Sequence, residues 1–324
     1  MSRITMNLLT EREYYKPFNY PWAFEHYKTQ QHMHWLPGEV NLADDLRDYR
    51  DKLSPVNKKL LSSIFRFFTQ ADVDVCCGYA KHYLPTFKQP EVRMMLASFA
   101  AMEAVHQEAY SLLLETLGFS DDEYVKFMEH KAMLDKHEYL SNFGMETKLD
   151  IAKTMAIYSG FTEGVQLFSS FAILLNFPRH NLMKGMGQIV TWSIRDESLH
   201  VEGMSQLFRT FIQENPELWT DDLKYEVYCA AERTVELEDA FIDLCFEGAE
   251  VPDLTSAEVK EYIRYIADRR LLGLGMKKIF KSDKNPLPWI DYMVNAVEHT
   301  NFFENRATEY ARASTTGNWQ DIFK

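Results

Sequence analysis

Apolar positions in this chain recur at helical rather than strand spacing. Ser54-Pro55 reads as an N-cap followed by proline at the first helical position, and a long apolar-periodic run continues from there to about Tyr83, before Pro85. Further helical runs are expected over about 91–117, 121–140, 148–176, 179–213, 221–247 and 256–280, with boundaries at Gly118, Gly144, Pro178, Pro216, Gly248 and Pro252. Several exceed 25 residues, and no alternating strand pattern, GxGxxG or P-loop interrupts them. Long helices joined by short turns predict an all-α protein, a helical bundle with its sites in the core.

The ends differ. Residues 1–53 carry Tyr14, Tyr15, Phe18, Tyr20, Trp22, Phe24, Tyr27 and Trp35, broken by Pro17, Pro21 and Pro37. This predicts an irregular N-terminal arm wrapping a helical domain at 54–307. From Thr308 the pattern fades into a polar tail, 308–324, dotted with aromatic residues and expected to be flexible.

Composition narrows the function classes. A net charge of −13 disfavours nucleic acid and an anionic membrane surface as partners. The longest apolar run, Phe171 to Leu175, is far short of the ~18 residues of a membrane span. The N-terminus lacks a secretory apolar segment, so a cytoplasmic protein is expected. Cys76, Cys77, Cys229 and Cys245 form neither CxxC nor zinc spacing and read as small, reduced core residues.

The stretch Met102–Tyr110 carries the candidate chemistry. On a helix, Glu103, His106 and Tyr110 stand at i, i+3 and i+7 and share one face, among Leu96, Phe99, Leu113 and Leu114. An acid and an imidazole in apolar surroundings need partners, and a metal takes a carboxylate and a neutral imidazole together. Only two Glu-x-x-His spacings occur, Glu103/His106 and Glu197/His200. Each follows a helical run holding an acid: Asp72 lies 31 residues before Glu103, and Glu163 lies 34 before Glu197. One acid from each of two helices and Glu-x-x-His from each of two others is the ligand arithmetic of the di-metal carboxylate four-helix bundle. Four carboxylates balance two divalent ions, and a thiolate-free donor set suits iron or manganese better than structural zinc. Asp74 competes with Asp72 as the first acid. Two positions apart, they project about 200° apart on a helix, so only one can face the site.

At these residues the chain resembles the small, radical-generating (β) subunit of class I ribonucleotide reductase, from about Trp35 to the C-terminus. The resemblance favours Asp72, because the family's first acid lies about as far before the first Glu-x-x-His. It marks Tyr110, four residues after His106, as the radical site. The run Arg195-Asp-Glu-Ser-Leu-His200 matches the second ligand motif, and Thr300 to Tyr310 is similar to a C-terminal signature. The family's function implies that reduced metals activate an oxygen species and that the oxidising equivalent is stored, usually as a tyrosyl radical. It then passes to a catalytic α subunit that makes deoxyribonucleotides. Trp35, Asp196 and His106 would form the inner end of that transfer, and Tyr310 the bridge to the partner. Trp319, Ile322 and Phe323 in the tail would dock on the α subunit. A homodimer and a flavoprotein activator are also implied. Two positions depart from the common pattern: Leu167 stands where some members have Phe, and Ser193 where many have Ile. Ser193 introduces polarity near Tyr110, which leaves open storage of the oxidant on a dimanganese centre instead. A ferritin-like ferroxidase or metal-storage protein would share the metal residues but not the tail or the Trp35–Asp196 pair. Acyl desaturases share the pattern too, but generally with Glu as first acid.

Overall fold

Capping chemistry places the helices. In this computed structural model, which describes residues 7–139, 144–249 and 251–294, the Ser54 hydroxyl accepts from the Asn57 N–H and Pro55 opens the following helix. Thr147 with Asp150 and Thr255 with Glu258 form reciprocal capping boxes at two later starts. The longer helices are α1 (Pro21–Met33), α2 (Pro55–Gly78), α3 (Pro90–Thr116), α4 (Lys131–Tyr139), α5 (Lys148–Thr154), α6 (Phe168–Arg179), α7 (Lys184–Glu214), α8 (Asp221–Phe246) and α9 (Ser256–Gly273). No strand occurs among the described residues. The protein is all-α, as the periodicity predicts.

The departures have local causes. Residues 21–33 are a helix, not irregular chain; Pro21 occupies the first helical position, where a missing N–H does no harm. The inward residues of α1 are Ala23, His26 and Gln30, so this helix has no apolar stripe to betray it. Pro178 lies inside α6 rather than before its end, one residue from the last. The expected run 148–176 is broken by a π-helical segment, Met155–Glu163, and a turn before α6. A second π-helical segment, Tyr79–Tyr83, continues α2, and a third, Asp48–Lys52, lies before it. The run 121–140 begins as 3-10 helix, Asp121–Glu129, and α9 ends at Gly273 rather than near 280.

Helix α2 packs on α3, α3 on α7, and α7 on the Met155–Glu163 segment, so these four elements enclose the core. Phe65, Phe68, Phe99 and Phe171 are buried within it, each contributing on the order of 1.5–3 kcal/mol through burial. The N-terminus of α7 is pinned from a distance. Asp45 accepts from the backbone N–H groups of Gly185 and Met186 at 2.9 and 2.7 Å, and Asp48 from that of Met183 at 2.9 Å. These acids satisfy donors that a helix start leaves unpaired. Gly185 permits the approach, since a Cβ there would stand 2.7 Å from the Asn41 carbonyl oxygen.

No disulfide occurs among the described residues; Cys245 is buried, while Cys76, Cys77 and Cys229 are only half-buried. No described helix is long and apolar enough to cross a membrane. Tyr310, the signature at 300–310 and the tail anchors lie outside the described residues.

Candidate metal centre

Four elements each bring part of one buried cluster. Helix α2 carries Asp72, α3 carries Glu103 and His106, the π-helical segment ends on Glu163, and α7 carries Glu197 and His200. All six are at most 1% exposed. Potential ligand atoms of Asp72, Glu103, His106 and Glu197 lie within 4.8 Å of one another, and so do those of Glu163, Glu197 and His200. The two groups share Glu197. Asp74 is elsewhere: it accepts from Gln70 at 2.9 Å and pairs with His137 at 2.5 Å.

The cluster lacks internal satisfaction. Asp72 Oδ2, both Glu103 oxygens, His106 Nδ1, Glu163 Oε1, Glu197 Oε2 and His200 Nδ1 are buried with no hydrogen-bond partner. Outer contacts determine which imidazole nitrogen faces inward. His106 Nε2 donates to Asp196 Oδ2 at 3.2 Å, and His200 Nε2 donates to the Gln30 amide oxygen at 3.1 Å. In the neutral rings, both Nδ1 lone pairs then point toward carboxylate oxygens, His200 Nδ1 standing 2.9 Å from Glu103 Oε1 and His106 Nδ1 3.4 Å from Glu197 Oε1. A lone pair facing a carboxylate is repulsive unless a cation, either protons or metal ions, lies between them. The donors therefore fit a pair of divalent ions held by carboxylates and imidazoles alone.

Without metal, protons do that work. Burial pushes the Asp72 carboxyl well above its usual range against the attraction of His106. Burial, reinforced by the Glu197 and Glu103 charges, does the same to Glu163. Burial opposes charge on His200, but contact with Glu103 and Glu197 outweighs it and raises the imidazole to about 10. Glu197, also opposed by burial, is drawn down to about 2 by His106 and His200.

Around this centre, Asp196 is a junction. Its Oδ2 accepts from Trp35 Nε1 at 2.8 Å as well as from His106, and its Oδ1 accepts from Gln30 Nε2 at 3.2 Å. The Trp35 ring also lies parallel to His106, centroids 6.0 Å apart, and 5.0 Å from Trp192. Tyr110 is 1% exposed, donates to Ser193 Oγ at 3.2 Å and packs 4.7 Å from the Phe68 ring. Burial, with the charge of Asp72, keeps its phenol protonated. Phe171, also buried, packs on Phe68 with ring centroids 5.1 Å apart and keeps this region largely apolar.

Two residues of the site have no motif to announce them. Gln30 links His200 to Asp196 from a helix far away in sequence. Tyr79 donates to Glu163 Oε2 at 2.9 Å. Its position seven residues after Asp72, on the same face of a regular helix, was the one available signal.

The comparisons agree with this geometry. The family model "Ribonucleotide reductase, small chain" matches residues 12–286. The chain is 47% identical to a probable ribonucleoside-diphosphate reductase small subunit of Invertebrate iridescent virus 3, over 97% of this chain and 88% of that protein. Among solved structures, the ribonucleotide reductase R2 subunit from Clostridium botulinum superposes with a TM-score of 0.80 at 21% identity, covering 85% of this chain and 89% of that one. The dimanganese(II)-NrdF of Streptococcus sanguinis gives 0.74 at 23% identity, covering 87% and 99%. The chain belongs to the ribonucleotide reductase small-chain family.

Proposed function

We propose that this chain is the radical-generating subunit of a ribonucleoside-diphosphate reductase, and that Asp72, Glu103, His106, Glu163, Glu197 and His200 hold two ions of iron or manganese. The observation that carries the reading is the set of seven buried, partnerless donor atoms spread over those six residues. When bound and reduced, the ions supply activation of an oxygen species and a one-electron oxidant.

The chain's own residues do the rest. Tyr110 stores the oxidising equivalent as a tyrosyl radical, shielded from solvent and held by Ser193. Trp35, Asp196 and His106 form a continuous hydrogen-bonded row through which an electron reaches the centre. Asp196 accepts from both neighbours, fixes the His106 ring and can take the Trp35 indole proton as the electron leaves. Gln30 fixes His200 in the same way. Tyr310 continues the route toward a catalytic α subunit, and residues 308–324 dock there through Trp319, Ile322 and Phe323. Small-subunit homodimers and a flavoprotein that supplies the oxygen species complete the proposed assembly.

Ser193 supports a second reading, in which its polar contact with Tyr110 leaves the oxidant on a dimanganese centre. Reconstitution with Fe(II) or Mn(II), exposure to O₂ or superoxide, and EPR with and without Tyr110→Phe separates the two. A long-lived tyrosyl signal lost in the variant supports the first; a long-lived metal-centred signal that survives supports the second. Failure to bind metal rejects both, and a metal-loaded protein inert toward any α subunit favours a ferroxidase.

A further inference from the structure

Two of the three π-helical segments meet through tyrosines. Tyr79 and Tyr83 come from one; Tyr158, Ser159 and Glu163 come from the other. Beyond the Tyr79–Glu163 hydrogen bond, the rings of Tyr79 and Tyr83 lie 5.6 Å apart, and those of Tyr83 and Tyr158 6.3 Å apart. Tyr83 shares a 2.8 Å hydrogen bond with Ser159 Oγ, and Tyr158 donates to the Asp74 carbonyl oxygen at 2.6 Å. The half-buried His82 follows, 6.5 Å from Tyr158, so the aromatic row runs from the cluster outward. Gly78 makes room for it, since a Cβ there would stand 2.5 Å from the Tyr158 hydroxyl.

This row uses none of the proposed transfer residues and leaves the cluster at Glu163, the residue grouped with Glu197 and His200 rather than with Asp72. Tyr79 occupies Glu163 Oε2 and leaves Oε1 as the open donor atom. A phenol gives up a single electron readily when its oxidised ring can shed its proton, and closely spaced rings carry an electron past one another by tunnelling. Tyr79 has a proton acceptor in place. Satisfying a buried carboxylate alone would need only one hydroxyl, not a row of three rings reaching toward the surface.

We propose that Tyr79 is a second redox-active tyrosine of this chain, giving one electron to the oxidised metal pair while its phenolic proton passes to Glu163 Oε2. The O–H bond of Tyr79 breaks, the pair is reduced by one electron, and a neutral tyrosyl radical remains. An external one-electron reductant of the thiol or ascorbate class refills it, the electron tunnelling across the Tyr158 and Tyr83 rings without oxidising them, and the proton returns from Glu163. The row thereby discharges oxidising equivalents that do not leave through Trp35. It rests on the metal-loading reading above.

The test uses full-length protein loaded with Fe(II), its iron content measured, then exposed to O₂ and freeze-quenched for EPR. Tyr110→Phe is expected to retain a transient tyrosyl signal, narrowed when tyrosine is ring-deuterated. Adding Tyr79→Phe should abolish that signal, and adding Tyr83→Leu, which removes a ring from the row, should slow its decay with ascorbate. Peptide mapping of oxidised Tyr110→Phe should find ring modification at Tyr79, which decides the question even if Tyr79→Phe loads less iron. An iron-loaded Tyr110→Phe protein with no tyrosyl signal, or with ring modification only at other tyrosines, overturns this proposal alone. A chain that takes up no iron overturns it together with the proposed function.

Discussion

Gln30 accepts a hydrogen bond from His200 Nε2 at 3.1 Å, while its amide nitrogen donates to Asp196, which in turn accepts from His106. One amide thus couples the outer nitrogens of both imidazoles and selects the tautomer that leaves each Nδ1 free. Gln30→Ala should weaken metal binding by about 10–100-fold, the usual effect of removing a group that orients a ligand. Competitive titration against a chelator measures it, and unchanged affinity would show that His200 needs no such support.

Trp35→Phe keeps an aromatic ring beside His106 but removes the donor to Asp196. Metal content and the Tyr110 signal should be retained while turnover with a cognate α subunit is lost. Equal loss of metal would make Trp35 a packing residue instead.

Metal affinity should rise with pH. His106 is also held well above its ordinary value: burial opposes its charge, but Asp196, Glu103 and Glu197 outweigh that. With His200 raised to about 10, both imidazoles of the metal-free protein carry protons at neutral pH. An ion must displace them, so affinity should increase by up to about tenfold per pH unit for each proton released, between about pH 6 and 8. Calorimetry in buffers of different ionisation enthalpy counts the protons.

Ser193→Ala removes the acceptor for the Tyr110 hydroxyl inside an otherwise apolar pocket. Stability should fall by about 1 kcal/mol, and the g-values of the Tyr110 radical should shift as the hydrogen bond disappears. Identical spectra would mean that Ser193 does not touch the radical.

Gly78→Ala sets two effects against each other. Alanine favours the helix by about 1 kcal/mol, but its Cβ would meet the Tyr158 hydroxyl and Cζ at 2.5 and 2.6 Å. The Tyr158 hydroxyl is tied to the Asp74 carbonyl and cannot swing aside freely, so overpacking of about 1–3 kcal/mol should prevail. Thermal unfolding should show a lower midpoint.

What the sequence reveals follows from the range of each interaction. Glu103/His106 and Glu197/His200 are local i, i+3 pairs, so their shared faces can be read without a fold. Asp72 and Asp74 stay ambiguous until α2 has a phase relative to α3, and packing alone turns Asp74 toward Gln70 and His137. Gln30 is invisible because α1 buries Ala23, His26 and Gln30 rather than an apolar stripe. The π-helical segment at 155–163 is apolar throughout except for short hydroxyls and Glu163, so its hydrophobic pattern cannot distinguish one helical pitch from another. For Tyr79, the spacing from Asp72 marks the helix face it stands on, but not that the segment 155–163 brings Glu163 to meet it.

Anomalous diffraction from crystals grown with Fe(II) or Mn(II) locates the ions themselves. Two peaks are expected, one among Asp72, Glu103, His106 and Glu197 and one beside Glu163, Glu197 and His200. A single peak, or none within this cluster in protein that has taken up metal, would contradict a two-ion centre.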